Sequence, residues 1–230
     1  VVTKPEPPTQ SRKGPPPAPV RTWATNNGLP ILDPVDINDA AAVEQIRDLS
    51  ADLMLVCDYG RILKPETLAT TRLGGINLHG SLLPAYRGAA PVQRALLSGD
   101  STTGVCVIHM TPKLDGGPVL ASVETQIAGN ETSGDLEDRL SQLGVELVMK
   151  SIGRLSHWDG NTPIGHAQDP EKATKAPRLS KREGLIDWTR TSREVDCHVR
   201  GMQPWPVAHT FLKRRENKPS VRLSVLQVSP

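Results

Sequence analysis

The sequence lacks long hydrophobic runs. No stretch approaches the roughly 18 consecutive apolar residues that a membrane-spanning helix requires. Mean hydropathy is -0.34, and 37% of the residues are hydrophobic. We therefore expect a soluble protein. With 230 residues, the chain can bury a core as one large domain, or as one domain with part of a second.

Cysteine is also scarce. The three cysteines, Cys57, Cys106 and Cys197, are far apart, odd in number and without Cys-x-x-Cys spacing. This pattern supports neither a disulfide framework nor a zinc knuckle. A reducing cytoplasm is the expected location. The N-terminus lacks an initiator methionine, a basic segment and an apolar segment, so it does not predict a signal peptide. We interpret it as a strand in a chain that begins partway through.

Positive charge is concentrated near the C-terminus. The whole chain carries a net charge of +2. Residues 177–230 contain 11 Lys or Arg against 5 Asp or Glu, whereas residues 1–176 contain 16 against 20. Such a surplus of positive charge most often marks a solvated surface, but a surface that binds the phosphate backbone of a nucleic acid carries the same surplus.

Apolar segments of strand length alternate with helical patterns up to residue 156. The run DLMLVCD (52–58) predicts a strand that is covered on both faces. The leucine spacing after Thr132 predicts a long amphipathic helix. Alternation of this kind predicts an α/β fold, with a doubly wound, mostly parallel sheet.

The pattern changes after residue 156. Residues 157–176 are polar and aperiodic, which predicts an inter-domain linker. Thr191 and Glu194 then predict a capping box, and two strands around KRRENKP predict a hairpin. The predicted divisions are a first domain at 1–156, a linker at 157–176 and part of a second domain at 177–230.

One strand carries a polar set at alternating positions. In GINLHGSLLP, Asn77, His79 and Ser81 share one face at the strand's C-terminal end, where α/β sheets place ligands. Asp115, in the loop KLDGG, could orient and charge-stabilise His79. An amide beside a histidine suits an anionic oxygen that forms at a carbonyl carbon, as in acyl transfer. The alternative interpretation is that these side chains only form hydrogen bonds with backbone groups of their own loops.

Two other chemistries use overlapping residues. A serine hydrolase would use Ser81 with His79 and Asp115, but HGSLL lacks the G-x-S-x-G turn. A metal site would use His79, Cys106 and His109, but these lack ligand spacing on any one element. We favour neither, and we predict no metal.

Several segments closely resemble the folate-dependent formyltransferases, and the resemblance covers nearly the whole chain. The Asn-x-His…Asp set is shared across that family, whereas the SLLP-x-x-RGAAP form and the IDW and PWP segments resemble the members that act on methionyl-tRNA. The resembling segments are INLHGSLLPAYRGAAPVQRAL, TGVCVIHMTPKLDGGPVL, ADLMLVCDYGRIL, LSKREGLIDW and GMQPWPVAHT.

The resemblance implies a doubly wound catalytic domain and a set of site residues. Asn77 would hydrogen-bond the formyl oxygen, and His79, held by Asp115, would accept the amine proton. The donor would be 10-formyltetrahydrofolate. The acceptor would be the α-amine of initiator methionyl-tRNA, formylated for translation initiation. The implied folate-binding residues are Tyr59, Ser81, Leu82, Leu83 and Pro84.

The resemblance also implies contacts with tRNA. Arg12 and Lys13 lie in a proline-rich loop that would reach the acceptor end. The basic module, residues 177–230, would be part of the family's C-terminal β-barrel, with Lys213, Arg214 and Arg215 on the tRNA backbone. The family's first strand and helix, and its last barrel strands, would lie outside this chain. We expect a monomer.

Three positions depart from the family pattern. Gly116 stands where many members carry Thr or Ala, Asp58 where many carry a small residue, and Lys175 where tyrosine is common. None belongs to the catalytic set. The alternatives are a formyltransferase that acts on an amino sugar nucleotide or on glycinamide ribonucleotide, and a non-catalytic tRNA-binding module.

Overall fold

The computed structural model describes residues 1–6, 18–213 and 219–229. No helix in these ranges is long and apolar enough to cross a membrane. The helices are α1 (Pro19–Asn26), α2 (Ala40–Asp48), α3 (Pro65–Leu68), α4 (Pro91–Leu97), α5 (Ser133–Leu155) and α6 (Ser192–Gly201), with 3-10 turns at Pro170–Lys172 and Lys181–Gly184. The strands are β1 (Met54–Cys57), β2 (Gly75–His79), β3 (Arg87–Gly88), β4 (Thr102–His109), β5 (Val119–Gln126), β6 (Lys175–Ala176), β7 (His209–Leu212) and β8 (Val221–Ser224).

A four-stranded sheet in the order β1-β2-β4-β5 forms the centre of the first domain. Strand β2 pairs in parallel with β1 and antiparallel with β4, and β4 pairs antiparallel with β5. A further parallel bridge joins Val2 to Leu32. The expected α/β fold is confirmed. Two of the three pairings are antiparallel, β2 with β4 and β4 with β5. The β4–β5 pair is antiparallel because the chain returns from β4 to β5 through a loop, without the crossover helix that a parallel pair needs.

Helix α5 supplies the main apolar contact with this sheet. It begins where predicted, because the Thr132 hydroxyl accepts the Asp135 N–H while the Asp135 carboxylate accepts the Thr132 N–H. The apolar residues that follow at helical spacing, Leu136, Leu140, Leu147 and Leu155, lie on one buried face of the helix. The buried cluster that this face forms with the sheet includes Ile76, Val105, Val107, Leu120, Leu136, Leu140, Leu147 and Leu155.

Strand β1 is covered on only one face by the described residues. Met54 and Val56 pack into a cluster with residues of α2 and α3, but Leu55 is 53% exposed and Cys57 is also exposed. The prediction of a strand covered on both faces is therefore wrong for Leu55. Its apolar composition could not distinguish covered from open faces, because both sides carry apolar residues.

The C-terminal residues pack directly on the first domain. Helix α6 begins at the predicted Thr191–Glu194 capping box and contacts α4. The Arg94 guanidinium on α4 lies 2.7 Å from the Glu183 carboxylate. Strands β7 and β8 pair antiparallel, as predicted. Residues 214–218, within the segment predicted as their connection, lie outside the described residues. The cluster that joins these parts contains Ala90, Leu179, Ile186, Val195, Val199, Met202 and Ala208.

The segment predicted as a linker makes a small sheet with the first domain. Its strand β6 pairs in parallel with β3. The Arg87 N–H donates to the Thr174 carbonyl at 2.8 Å, and the Ala90 N–H donates to the Ala176 carbonyl at 3.2 Å. Residues 157–176 therefore connect the two predicted domains and also lie against the first one.

Packing on α5 gives a stability prediction. Leu136→Ala should lower the free energy of unfolding by about 2–5 kcal/mol, because the side chain is fully buried and its removal leaves a cavity. Met149→Ala on the same helix is the matched control. Met149 is 63% exposed, and its truncation should change stability by less than about 0.5 kcal/mol. Urea unfolding of both variants provides the measurement, and equal destabilisation would contradict the packing described.

Candidate active site

Strand β2 positions the first two residues of the site. It lies between β1 and β4, so that Asn77 is opposite Val56 on one side and Ile108 on the other. His79 ends the strand and is only 5% exposed. Both side chains reach a cleft at the C-terminal end of β1 and β2, as expected from their alternation in the sequence.

Asp115 is brought to these residues by the tight loop between β4 and β5. Its φ is 45°, in the left-handed region that non-glycine residues rarely adopt. Its Oδ1 accepts a hydrogen bond from Asn77 Nδ2 at 3.4 Å. Its Oδ2 accepts the Gly88 N–H at 2.9 Å and lies 3.8 Å from His79 Nδ1. The structure therefore brings together the three predicted catalytic side chains.

The loop holding Asp115 requires glycine at one position. A Cβ at Gly117 would lie 1.8 Å from the His109 carbonyl oxygen, so any side chain would displace the loop backbone. Gly116, one of the departures, is less restricted. Its Cβ would meet Lys113 Cβ at 2.9 Å, so a side chain here would shift the loop by a smaller amount, whereas Arg87 Nη1 at 3.5 Å is an ordinary contact.

The hydrogen bonds of His79 define its neutral tautomer. Its Nε2 lies 3.0 Å from the carbonyl oxygen of Tyr86. A carbonyl can only accept, so Nε2 carries the hydrogen. Nδ1, which faces Asp115, is then the nitrogen that can take up a proton. The resulting positive charge would lie beside a carboxylate.

The Tyr86 carbonyl is itself held in place. Tyr86 has a φ of 62°, and its N–H donates to Thr174 Oγ1 at 2.8 Å. Its phenol donates to Asp100 Oδ2 at 2.7 Å. Burial is the main cause that raises the pKa of this phenol. The orientation of His79 therefore depends on the segment at 157–176 as well as on its own strand.

The cleft around these groups has a volume of about 570 Å³. The predicted folate residue Tyr59 lines it, and burial raises the pKa of its phenol. Asp58, another of the departures, also lines the cleft, with a φ of 43°. Apolar side chains on the cleft walls include Val56, Leu78, Val92, Val105, Ile108 and Leu140. Polar and charged side chains also line the cleft, and a cleft with apolar walls and such groups at defined positions is typical of a site for a small organic molecule.

The other predicted folate residues, Ser81 to Pro84, are not among the residues that line this cleft. Ser81 is fully buried, and its hydroxyl donates to the Ala85 carbonyl at 2.7 Å. The Leu83 N–H donates to Cys106 Sγ at 3.4 Å, and Leu82 packs against Gly104. Their contact with folate stays a prediction. A buried Ser81 cannot act as a hydrolase nucleophile in this conformation.

The residues considered for a metal site serve other contacts. Burial raises the pKa of the Cys106 thiol to about 11. His109 Nε2 lies 2.8 Å from the Leu73 carbonyl, and its ring packs edge-on against Trp158 at 5.1 Å. Within the described ranges, no group of three or more His, Cys, Asp or Glu residues could hold a metal ion.

Sequence reasoning missed Gln168 and Arg87. Gln168 Nε2 donates to the carbonyl oxygens of Asp115 and Gly117, both at 2.7 Å. Its Oε1 accepts from Arg87 Nε at 3.0 Å and from Nη2 at 2.6 Å. The tetrapeptide AQDP carries no local signal for these contacts, because they join residues more than 50 positions apart.

The predicted tRNA-binding residues are mostly outside the described part of the chain. Arg12 and Lys13, and also Arg214 and Arg215, fall outside it. Lys213 is described and is exposed directly after β7. Lys175, the third departure, is exposed in β6.

Comparison with known proteins identifies the family. The family model "Formyl transferase" matches residues 1–152, and "Formyl transferase, C-terminal domain" matches residues 178–230. The methionyl-tRNA formyltransferase of Rhodopirellula baltica is 60% identical over 98% of this chain and 68% of its own length.

Solved structures share the fold at lower identity. A sugar N-formyltransferase from Shewanella aligns with a TM-score of 0.66 at 21% identity, covering 90% of this chain and 81% of that one. HypX from Aquifex aeolicus, solved in complex with tetrahydrofolic acid, aligns with a TM-score of 0.65 at 16% identity, covering 82% and 32%. Together with the family models and the R. baltica relative, these findings lead to one conclusion: the chain belongs to the formyl transferase family.

Proposed function

We propose that this chain transfers the formyl group of 10-formyltetrahydrofolate to the α-amine of initiator methionyl-tRNA. The observation that carries the proposal is the meeting of Asn77, His79 and Asp115 in one cleft, in a chain 60% identical to a methionyl-tRNA formyltransferase. The reaction joins the amine nitrogen to the formyl carbon and breaks the bond between that carbon and N10 of the folate. It passes through a tetrahedral centre that carries an anionic oxygen. Tetrahydrofolate then leaves, and its N10 takes up the proton that the amine has lost.

Asn77 is the proposed donor to that oxygen. Its Nδ2 has two N–H groups, of which one is directed to Asp115 at 3.4 Å. The second has no partner within the described residues and lies at the cleft. A fixed amide donor in a mostly apolar cleft stabilises developing negative charge more than it stabilises the neutral formyl group.

His79 is the proposed proton acceptor. The attacking amine becomes positively charged as its bond to the formyl carbon forms, and it must lose a proton. With Nε2 holding its hydrogen on the Tyr86 carbonyl, the proton goes to Nδ1. Asp115, 3.8 Å away, then stabilises the imidazolium.

The formyl donor would occupy the cleft. The supporting observations are its volume of about 570 Å³, its apolar walls and the position of Tyr59 among the lining residues. HypX, which shares the fold, is described in complex with tetrahydrofolic acid. Ser81 to Pro84 would act by shaping the wall beneath the cleft, and we propose no metal.

The acceptor would be held by basic residues of the C-terminal part and of the proline-rich loop. Lys213, Arg214 and Arg215 would contact the tRNA backbone, while Arg12 and Lys13 would reach the acceptor end. The support is the charge of the C-terminal part, with 11 Lys or Arg against 5 Asp or Glu. The cytoplasm, which contains charged tRNA, is the proposed location. A monomer is proposed because one chain supplies every member of the catalytic set.

An amino sugar nucleotide is the second candidate acceptor, because a sugar N-formyltransferase shares the fold. A formyl-transfer assay with 10-formyltetrahydrofolate separates the candidates. We expect formylation of methionyl-tRNA and no detectable formylation of a nucleotide-linked amino sugar or of glycinamide ribonucleotide. Uncharged tRNA with free methionine is the control. Transfer to the sugar alone would replace the proposed function, and transfer to no acceptor would favour a binding module.

Alanine at any one of Asn77, His79 or Asp115 should lower kcat by at least about 100-fold. Removal of one oxyanion donor typically costs ~2.7–4 kcal/mol of transition-state stabilisation, and acid–base groups contribute about 10²–10⁴-fold. Equilibrium binding of folate should change little. Ser141→Ala is the control, because Ser141 lines the cleft but bonds to the Asp138 carbonyl. Near-normal kcat in any of the three variants would refute the mechanism.

Neutralising Lys213, Arg214, Arg215 and Lys218 together should weaken tRNA binding whatever the RNA sequence. Their positive charges are expected to neutralise phosphates of the tRNA backbone. The slope of log affinity against log salt should therefore flatten by up to about 0.9 for each phosphate that the variant leaves without a cationic partner. Filter binding at several salt concentrations measures both effects.

A matched variant removes four basic residues that each pair with a carboxylate on the first domain or the linker. These are Arg47, Arg72, Lys150 and Lys172. This control should keep normal affinity and slope. Equal weakening in the two variants would mean that total charge, not the basic module, governs binding.

A further inference from the structure

Gln168 is fully engaged with the catalytic loop, although it lies in the predicted linker. A glutamine side chain offers two N–H donors and one oxygen with two lone pairs. Both donor contacts go to the loop, at the Asp115 and Gly117 carbonyls, 2.7 Å each. Both acceptor contacts come from the Arg87 guanidinium, at 3.0 and 2.6 Å.

The loop conformation needs such external support. Asp115 has a φ of 45°, and the backbone at Gly117 lies too close to the His109 carbonyl for any side chain. A non-glycine residue at positive φ keeps that conformation only when the surrounding structure stabilises it. Gln168 does this from outside the loop, by satisfying the carbonyls on either side of Gly116.

The same segment also supports the Asp115 carboxylate. Strand β6 pairs with β3, and within β3 the Gly88 N–H donates to Asp115 Oδ2 at 2.9 Å. Arg87, the neighbour of Gly88, is the residue that donates to Gln168. Backbone and carboxylate of Asp115 are thus both tied to residues 168–176.

We propose that Gln168 is a positioning residue for formyl transfer: by holding the Asp115 backbone, it sets the position of the carboxylate relative to His79 and Asn77. The kinetic part of this inference rests on the proposed function. Gln168 is not among the residues that line the cleft, so its influence on the reaction passes through Asp115.

The variant Gln168→Met tests the proposal, because methionine has a similar length and cannot make the four polar contacts. We expect kcat to fall about 10- to 100-fold, the range for a catalytic group displaced by a fraction of an ångström up to about 1 Å. The KM values for folate and for tRNA should stay close to those of the unmodified chain, since substrate-binding groups are untouched. Gln126→Met is the control. Gln126 is a glutamine whose amide donates to Thr102 Oγ1 at an exposed site at the end of β5.

Amide hydrogen exchange provides a measurement that does not depend on activity. The Gly88 N–H donates to the Asp115 carboxylate, so a displaced Asp115 should make its exchange at least about tenfold faster. The Ile127 N–H, which donates to the Ser101 carbonyl at 2.8 Å, is the reference for the rest of the sheet and should not change. If the unmodified chain fails to formylate methionyl-tRNA, the proposed function fails, and exchange alone decides the positioning role.

Two results would overturn the proposal. One is normal kcat with normal Gly88 exchange in Gln168→Met. The other is an equal increase in the exchange rates of the Gly88 and Ile127 amides, because that would show a general loss of stability instead of displacement of one loop. If Gln168→Met does not fold, Arg87→Lys keeps the charge but removes the planar guanidinium. The same two measurements then apply, with the same outcomes for and against.

Discussion

The position of the Asp115 carboxylate is the constraint on which the rest of the site depends. Its two oxygens serve Asn77, Gly88 and His79, which come from the strand β2 and from the segment that follows it. A single carboxylate is thereby in contact with the amide, the imidazole and the strand β3. The φ of Asp115, 45°, lies in a region that non-glycine residues rarely adopt, and contacts from outside the loop support this conformation.

Much of the fold and the chemical set could be predicted from the sequence, because both depend on local patterns. Alternation places Asn77 and His79 on one face of a strand, and loop glycines indicate Asp115. The capping residues Thr132 and Thr191 mark where two helices begin. Each of these features depends on residues that are close together in the sequence, so each can be predicted from one sequence alone.

The remaining features depend on contacts between distant residues. Gln168 gives no local signal, since its partners lie more than 50 positions away. The tautomer of His79 depends on the Tyr86 carbonyl, whose direction follows from a backbone conformation at positive φ. The exposure of Leu55 is also hidden in the sequence, because an apolar run does not say which of its faces another element covers. Tertiary packing decides all three.

The pairing of β3 with β6 means that residues beyond position 156, where the composition changes, contribute backbone contacts next to the proposed active site. A fragment ending at residue 156 would contain every member of the proposed catalytic set, yet it would omit Thr174, Gln168 and the strand beside Gly88. Those omitted residues hold the Tyr86 carbonyl and the Asp115 loop. The unit that holds the proposed catalytic residues in place therefore extends at least to Ala176, and a cut at residue 156 would remove groups that contact the Asp115 loop and the Tyr86 segment.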